Sequence, residues 1–529
     1  MNTKRLLSLL AFLLTICMLF SLLSSCAYFY AIQPSDESTD PDGSEGDADR
    51  DGDGDVGGDT ICGGVAGPQS TNLYGYELHP LQDLDYRGEV FNILVPQSTE
   101  HIRSRDFATS YSEKGSDVIR DAAYNRVLEV NKLYNTDIRA TVTSGSVYAE
   151  ALADFEGRLC NYDLILCEMN RIAALALQGY LADLNEFDGE EIQLDAPWYN
   201  QNYVDHMSIG GRLYGVVGDF SLMDNDGIMA IQFNADLWDR LDIENPYTLV
   251  YDGTWTVDKM HELCKGRFMD SDGSENFGQH DSFGFIADYH AVNNLMIGDW
   301  CHAVKKDADD KPVFSLDSSR ALAALDKVLA LFNDQTASAD LSKIASDRDF
   351  SDVYAYSNAI FSEGNTLMRL VPMYAAEQSA SIGFDYGYLP MPKFDAAQEQ
   401  YYHVYSTYSP AVCVPVYLKE GRTTWGNAAV MEALSYYGRT ILLYQYYHVL
   451  LNGRAARDQD TRKMLDIIFD ASYTDFAAAH NFGNVNGIYN DSAVSGENSF
   501  MRDYHAAKRA IEAEMSKFTD GWSHILPKI

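Results

Sequence analysis

Tyr162-Asp163-Leu164-Ile165-Leu166 decides how this chain folds. Five residues carry one polar side chain, Asp163, and show no apolar–polar alternation. A strand with no wet face belongs in a sheet covered on both sides, which is the habit of parallel sheets. Outward from it, Val90 to Val95 (VFNILV) reads as a second buried strand and Asp137 to Thr143 as a third. Ser116 to Tyr134 and Val147 to Arg158 have helical periodicity. Ala173 to Gly179 reads as a helix stopped by its glycine. Leu213 to Val217 and Met229 to Phe233 read as further strands. Alternating strands and helices predict an α/β architecture. Its ligands are expected beyond the carboxyl ends of the strands.

Local motifs extend the pattern along the chain. Ala174-Leu175-Ala176-Leu177-Gln178-Gly179-Tyr180-Leu181-Ala182-Asp183-Leu184 follows the first motif. Asp195-Ala196-Pro197-Trp198, Leu213-Tyr214-Gly215-Val216 and Ala230-Ile231-Gln232-Phe233-Asn234 come next. Then stand Asp252-Gly253-Thr254-Trp255-Thr256, Phe361-Ser362-Glu363-Gly364-Asn365-Thr366-Leu367-Met368 and Tyr386-Gly387-Tyr388-Leu389-Pro390-Met391-Pro392. Thr256 reads as an N-cap with Asp258 in the first turn, and Gly215 as a point where a neighbour comes close. In order and spacing these motifs resemble the family 1 extracellular solute-binding proteins, the group of maltose-binding protein.

The resemblance implies a two-lobed, type II periplasmic-binding-protein-like fold, each lobe a sheet flanked by helices, joined by crossing strands. Residues 86–225 and 368–418 would form lobe 1, and 226–367 with 419–529 lobe 2. It implies a carbohydrate, a sugar or oligosaccharide, captured between the lobes and handed to a membrane ABC permease by a monomer that breaks no bond. It also places candidate ligand-binding residues on cleft loops. These are Glu100 after the first strand, Glu168 and Asn170 after YDLIL, and Asp224 and Asp226 at the first crossing. Tyr289 and Trp300 lie in the second lobe. Arg369, Met373 and Tyr374 follow the return strand, and Tyr405 and Tyr408 border the last crossing. Met373 stands where sugar binders of the family often place a Trp after the proline matched by Pro372, which makes Tyr374 the substitute platform. Aromatic faces against the C–H side of a sugar, with acids and amides around its rim, are what such a site needs.

Charge narrows the partners. With 39 Lys and Arg against 78 Asp and Glu, the net charge is −39. Such a chain cannot neutralise many phosphates, so nucleic acid is excluded as a partner. Hydrophobic residues at 46% supply a core. No GxSxG, HExxH or P-loop occurs. A glycan-active hydrolase with two placed carboxylates, or a surface adhesin, is the alternative.

The first 85 residues read differently. Lys4 and Arg5 precede the uncharged run Leu6–Leu23, then Ser24-Ser25-Cys26. This predicts a lipoprotein signal over 1–25 and lipidation of Cys26, with diacylglycerol and palmitate holding the chain on the extracellular face of the cell membrane. Residues 26–85 form an acidic, Gly-rich tether. From Asp36 to Asp59 there are 11 acids and one Arg, too polar to pack.

No CxxC spacing occurs, so no zinc or redox pair is expected. Cys160 and Cys167 flank a strand about 20 Å long and cannot bridge. No cofactor is expected beyond one option. Asp270, Asp272, Ser274, Asn276 and Asp281 place oxygens at alternate positions with an acid closing the loop, as a calcium site would. Glu275 occupies the place of its glycine, and a solvated acidic turn is the plainer reading.

Overall fold

A computed structural model describes residues 75–525 apart from 98–103, 108–116, 272, 274–277, 279, 302, 317, 343–352, 376–378, 380–381, 406–408, 451–458, 496–497 and 523. The signal, Cys26 and the acidic tether as far as residue 74 lie outside the described residues. Among the described residues no helix is long and apolar enough to cross a membrane.

YDLIL becomes the strand Leu164–Glu168, with Leu164 to Cys167 buried. Glu89–Pro96 runs parallel to it on one side and is paired along its whole length with Thr136–Thr143 on the other. Pro410–Cys413 closes this four-stranded sheet antiparallel to Leu164–Glu168. The lone polar residue of the motif is satisfied. The Asp163 carboxylate accepts from the Asn92 amide at 2.7 Å and ion-pairs with Arg422 at 3.2 Å.

Helices flank the sheet where periodicity predicts them. Val118–Tyr134 starts on the Asp117 side chain, which accepts from the Arg120 amide, and stops at Asn135 in the left-handed region. Val147–Gly157 starts on Ser146. Thr256 caps Val257–Cys264 as expected.

The second sheet has five strands, in the order Tyr386–Leu389, Met229–Asn234, Thr366–Pro372, Phe283–Ala287, Ser338–Asp340. It is mixed. Thr366–Pro372 is antiparallel to Met229–Asn234 and parallel to Phe283–Ala287. These two sheets with their helices bear out the α/β expectation.

Several segments differ from the sequence reading. Leu213 to Val217 forms no strand; only Val216 pairs, exchanging backbone hydrogen bonds with Val412. Gly215 is nevertheless the close approach expected, since a Cβ there would lie 2.9 Å from Cys413 Sγ and Ile172 Cδ1. Thr366–Pro372 and Tyr386–Leu389 hydrogen-bond within the second sheet, although 368–418 was expected in the first lobe. The stretch after 419, expected in the second lobe, begins against the first sheet. Asn427 donates to the Asp163 carbonyl at 2.9 Å and accepts from the Tyr86 hydroxyl at 3.1 Å. At the far end, Trp522 Nε1 donates to the Ile209 carbonyl at 3.0 Å.

Candidate functional site

Two glycines shape the cavity in which polar and aromatic side chains converge. Gly218 lies against the backbone of Trp198 and Tyr199, where a Cβ would overlap the Trp198 carbonyl oxygen. Gly438 lies against the backbone of Asp219 in the same way. Gly438 opens a π-helical turn, Gly438–Leu442, inside the helix that begins at Thr424 and continues as Leu443–Leu450. Such turns are rare and favour functional sites. This one brings Arg439 onto Asp219, with Nη1 3.2 Å from Oδ2.

The cavity has a volume of about 360 Å³. Asp219, Asp224 and Arg439 line its interior and are each nine-tenths buried or more. Asp195 and Asp470 are exposed at its edge. Its aromatic walls are Tyr76, Trp198, Tyr199, Tyr447 and Phe469. Tyr76 stands edge-on to Trp198, with centroids 6.2 Å apart, and its hydroxyl donates to Asp195 at 2.9 Å. Asn200 caps the helix Gln201–Met207 and donates to Ser472 Oγ at 2.6 Å, tying the segment before the helix to the C-terminal part of the chain.

Burial sets the electrostatics. It pushes the Asp219 carboxyl up to about 6, against the pull of Arg439. It raises Asp224 well above the ordinary carboxylate range, where amides of its own turn oppose it only in part. Tyr199, which also lines the cavity, donates to the Glu432 carboxylate at 2.6 Å. Burial outweighs that bond and pushes Glu432 up to about 7.

The sign for Glu432 follows from linkage. Its ordinary value is 4.5, so between about pH 4.5 and 7 the folded chain keeps a proton that the unfolded chain releases. Stability contributed by this group therefore falls as pH rises through that window. Glu432→Gln keeps an acceptor for Tyr199 and never ionises. It should melt above the wild type near pH 8, by about 3 kcal/mol at most, and close to it near pH 5. Thermal melts at the two pH values check this; an equal difference at both would overturn it.

The expected site residues do not gather at one place. Asp224 lines the cavity. Asp226 sits in the same short helix, Met223–Asp226, and accepts from the Tyr446 hydroxyl at 2.7 Å. Glu168 accepts the amides of Val147 and Tyr148, both at 3.1 Å, and so holds the start of a helix. Asn170 is half-buried in the first turn of Met169–Ala176. Arg369 is wholly buried in the second sheet, bonded to Gln232 at 2.7 Å and to Asn358 and Ser379. Met373, Tyr374 and Tyr405 are core residues. Tyr289 packs on His290. Trp300 stacks on Tyr402 at 3.5 Å and meets Tyr473 edge-on. Strand alternation separates that cluster from the cavity, because Ser472 lines the cavity while its neighbour Tyr473 turns to Trp300. Glu100 and Tyr408 lie outside the described residues.

Sequence reasoning missed Arg439, Asp219 and Trp198. The motif Asp195-Ala196-Pro197-Trp198 was a usable signal for the last. In the acidic loop, Asp281 accepts the amides of Ser271 at 2.8 Å and Gly278 at 2.6 Å, and Asp270 accepts that of Gly273. These carboxylates thus organise backbone; Asp272, Ser274 and Asn276 lie outside the described residues. Among the described residues no three His, Cys, Asp or Glu side chains gather as a metal site would require.

No family model matches the sequence, and no curated protein matches it. Solved structures do share the fold. UspC of M. tuberculosis is 18% identical, with a TM-score of 0.52 over 80% of this chain and 99% of that one. The cyclic alpha-maltosyl-1,6-maltose binding protein from Arthrobacter globiformis is 12% identical, with a TM-score of 0.52 over 81% of this chain and 99% of that one. At these identities the likeness concerns the fold, the two-lobed periplasmic-binding-protein type.

Proposed function

We propose that this chain is the substrate-binding lipoprotein of an ABC importer, capturing a sugar or oligosaccharide and delivering it to a membrane permease. The observation that carries the reading is the cavity between residues 195–225 and 439–472. It combines buried carboxylates and a guanidinium, which can bond ring hydroxyls, with aromatic walls for the C–H faces. The likeness in fold to a cyclic-maltoside binding protein supports the same substrate class. Closure of the lobes on the ligand would be the mechanical step.

A thermal-shift screen of the chain against mono- and oligosaccharides tests the proposal. A ligand that binds the native state at about 100 times its Kd stabilises by about 2.7 kcal/mol. No shift with any glycan would overturn it. Several carboxylates in one cavity also permit a glycoside hydrolase, which needs a pair of them, and sustained turnover of a chromogenic glycoside would favour that reading instead.

The anchor is part of the proposal. Cys26 after Ser24-Ser25 would carry diacylglycerol, whose two chains hold a membrane firmly where one holds it marginally. Cys26→Ala should move the chain from the membrane fraction to the soluble fraction on cell fractionation, or leave its precursor unprocessed. A variant processed and retained like the wild type would remove the lipoprotein assignment.

A further inference from the structure

We infer that the hairpin Val304–Phe314 is a latch between the lobes, and that Lys306 and Asp310 in it are positioning residues that hold a wall of the cavity. The inference rests on the lobe closure proposed above and holds for any ligand, sugar or not. The hairpin pairs Val304–Lys306 with Pro312–Phe314. It leads into the helix Ser319–Asn333, whose Leu331 carbonyl accepts from Ser338 Oγ of the second sheet at 2.9 Å. Its loop is braced from within, since the Asp307 carboxylate accepts the amides of Asp309 and Lys311, both at 2.9 Å. Opposite stands a turn of the first lobe. Ile209 and Arg212 exchange backbone hydrogen bonds around Gly210-Gly211, and both glycines have positive φ, as a two-residue type I′ turn requires. Asn185 donates to the Gly211 carbonyl at 2.9 Å and the Leu213 amide to Asp183 at 3.0 Å. The neighbouring Ala182 amide donates to Val414, just past the strand Pro410–Cys413, at 2.8 Å.

The two tips bond to each other. The Asp310 carboxylate accepts the Gly211 amide at 3.0 Å, and the Asp310 carbonyl accepts the Gly210 amide at 3.2 Å. The Lys306 ammonium directs its three protons to Asp310 at 2.8 Å, to Ser208 Oγ at 2.8 Å and to the Asp205 carbonyl. A fully exposed ion pair would hold little. These two side chains are only 20% and 32% exposed, and each also bonds to the other lobe. Asp205 and Ser208 lie at the end of the helix Gln201–Met207, which is about 10 Å long. Asn200 and Gln201, at its start, line the cavity. One short helix thus carries the cavity wall at one end and the latch at the other, so release of the latch frees that wall to move.

The test measures the distance between lobes in the full chain without added ligand. Spin labels on non-canonical side chains replace Glu156, in the helix Val147–Gly157, and Asp239, in the helix Ala235–Arg240; both positions are exposed. Lys306→Met keeps most of the apolar stem and removes the ammonium. Asp310→Gly removes the carboxylate and accepts the φ of 57° found there, which alanine would resist. Each variant should raise the population at longer label distances roughly tenfold, with circular dichroism unchanged. If Asp310→Gly fails to fold, Lys306→Met alone decides. Unchanged distances in a folded variant would overturn the latch and show these contacts to be packing only. The glycan thermal shift is read separately. A shift with unchanged label distances would overturn the latch and leave the sugar-binding reading standing, whereas longer distances with no glycan shift would support the latch and remove that reading.

Discussion

Gly438→Ala should cost roughly 3–5 kcal/mol of stability and abolish ligand binding. The new methyl would overlap the Asp219 carbonyl oxygen and come within 2.7 Å of its carbon. Both are backbone atoms and cannot swing aside as a side-chain tip would. Either the helix withdraws or the Asp219 segment does, and each movement opens the Asp219–Arg439 pair in the cavity wall. Denaturant unfolding measures the stability loss, and calorimetric titration of the folded variant measures binding. A midpoint equal to that of the wild type would show that the helix and the loop do not press together as described.

The second large effect is expected at Arg126. Its guanidinium is wholly buried and donates from Nη1 to the Phe220 carbonyl and from Nη2 to the Asp106 carbonyl, both at 2.6 Å. The Asp106 carboxylate in turn accepts from Ser221 Oγ at 2.9 Å and the Leu222 amide at 2.7 Å. One side chain thus ties the loop 219–222 to the segment 104–107, immediately before Asp224. Arg126→Met leaves two buried carbonyls without donors and removes the cation facing Asp106, an expected loss of about 3–5 kcal/mol. Arg126→Lys should recover little, because an ammonium lacks the planar fork that spans two carbonyls. Denaturant midpoints for both variants decide this. Full recovery by lysine would mean that charge alone matters there.

How much of this was legible depended on how local each cause was. YDLIL could be read as a buried strand because burial on both faces leaves no period. Thr256 could be read as a cap because its partner, the Lys259 amide, is three residues away. Arg369 was misleading because an arginine in a strand advertises function. Only the register shows it facing Gln232 on the neighbouring strand, where the two satisfy one another inside the sheet. Leu213 to Val217 looked like a strand by composition, but no neighbouring strand pairs with it beyond Val216. The cavity was the least legible part. Asp224 was identified from its place at the first crossing. Arg439 lies 220 residues from Asp219, and the turn that presents it has no sequence signature comparable to an N-cap.

The π turn at Gly438–Leu442 also has an angular consequence. A π turn amounts to one residue more than an α-helix uses, so everything after it is rotated by about 100° about the axis relative to an uninterrupted helix. That rotation sets the azimuth at which Tyr446 meets Asp226 and Tyr447 meets Asp466. A homologue with a straight helix here would need its tyrosines one position earlier to keep the same contacts. Sequence alignments across this stretch therefore require a single-residue gap, and a one-residue deletion in 438–442 would turn the segment into plain α-helix with both rings still at their partners.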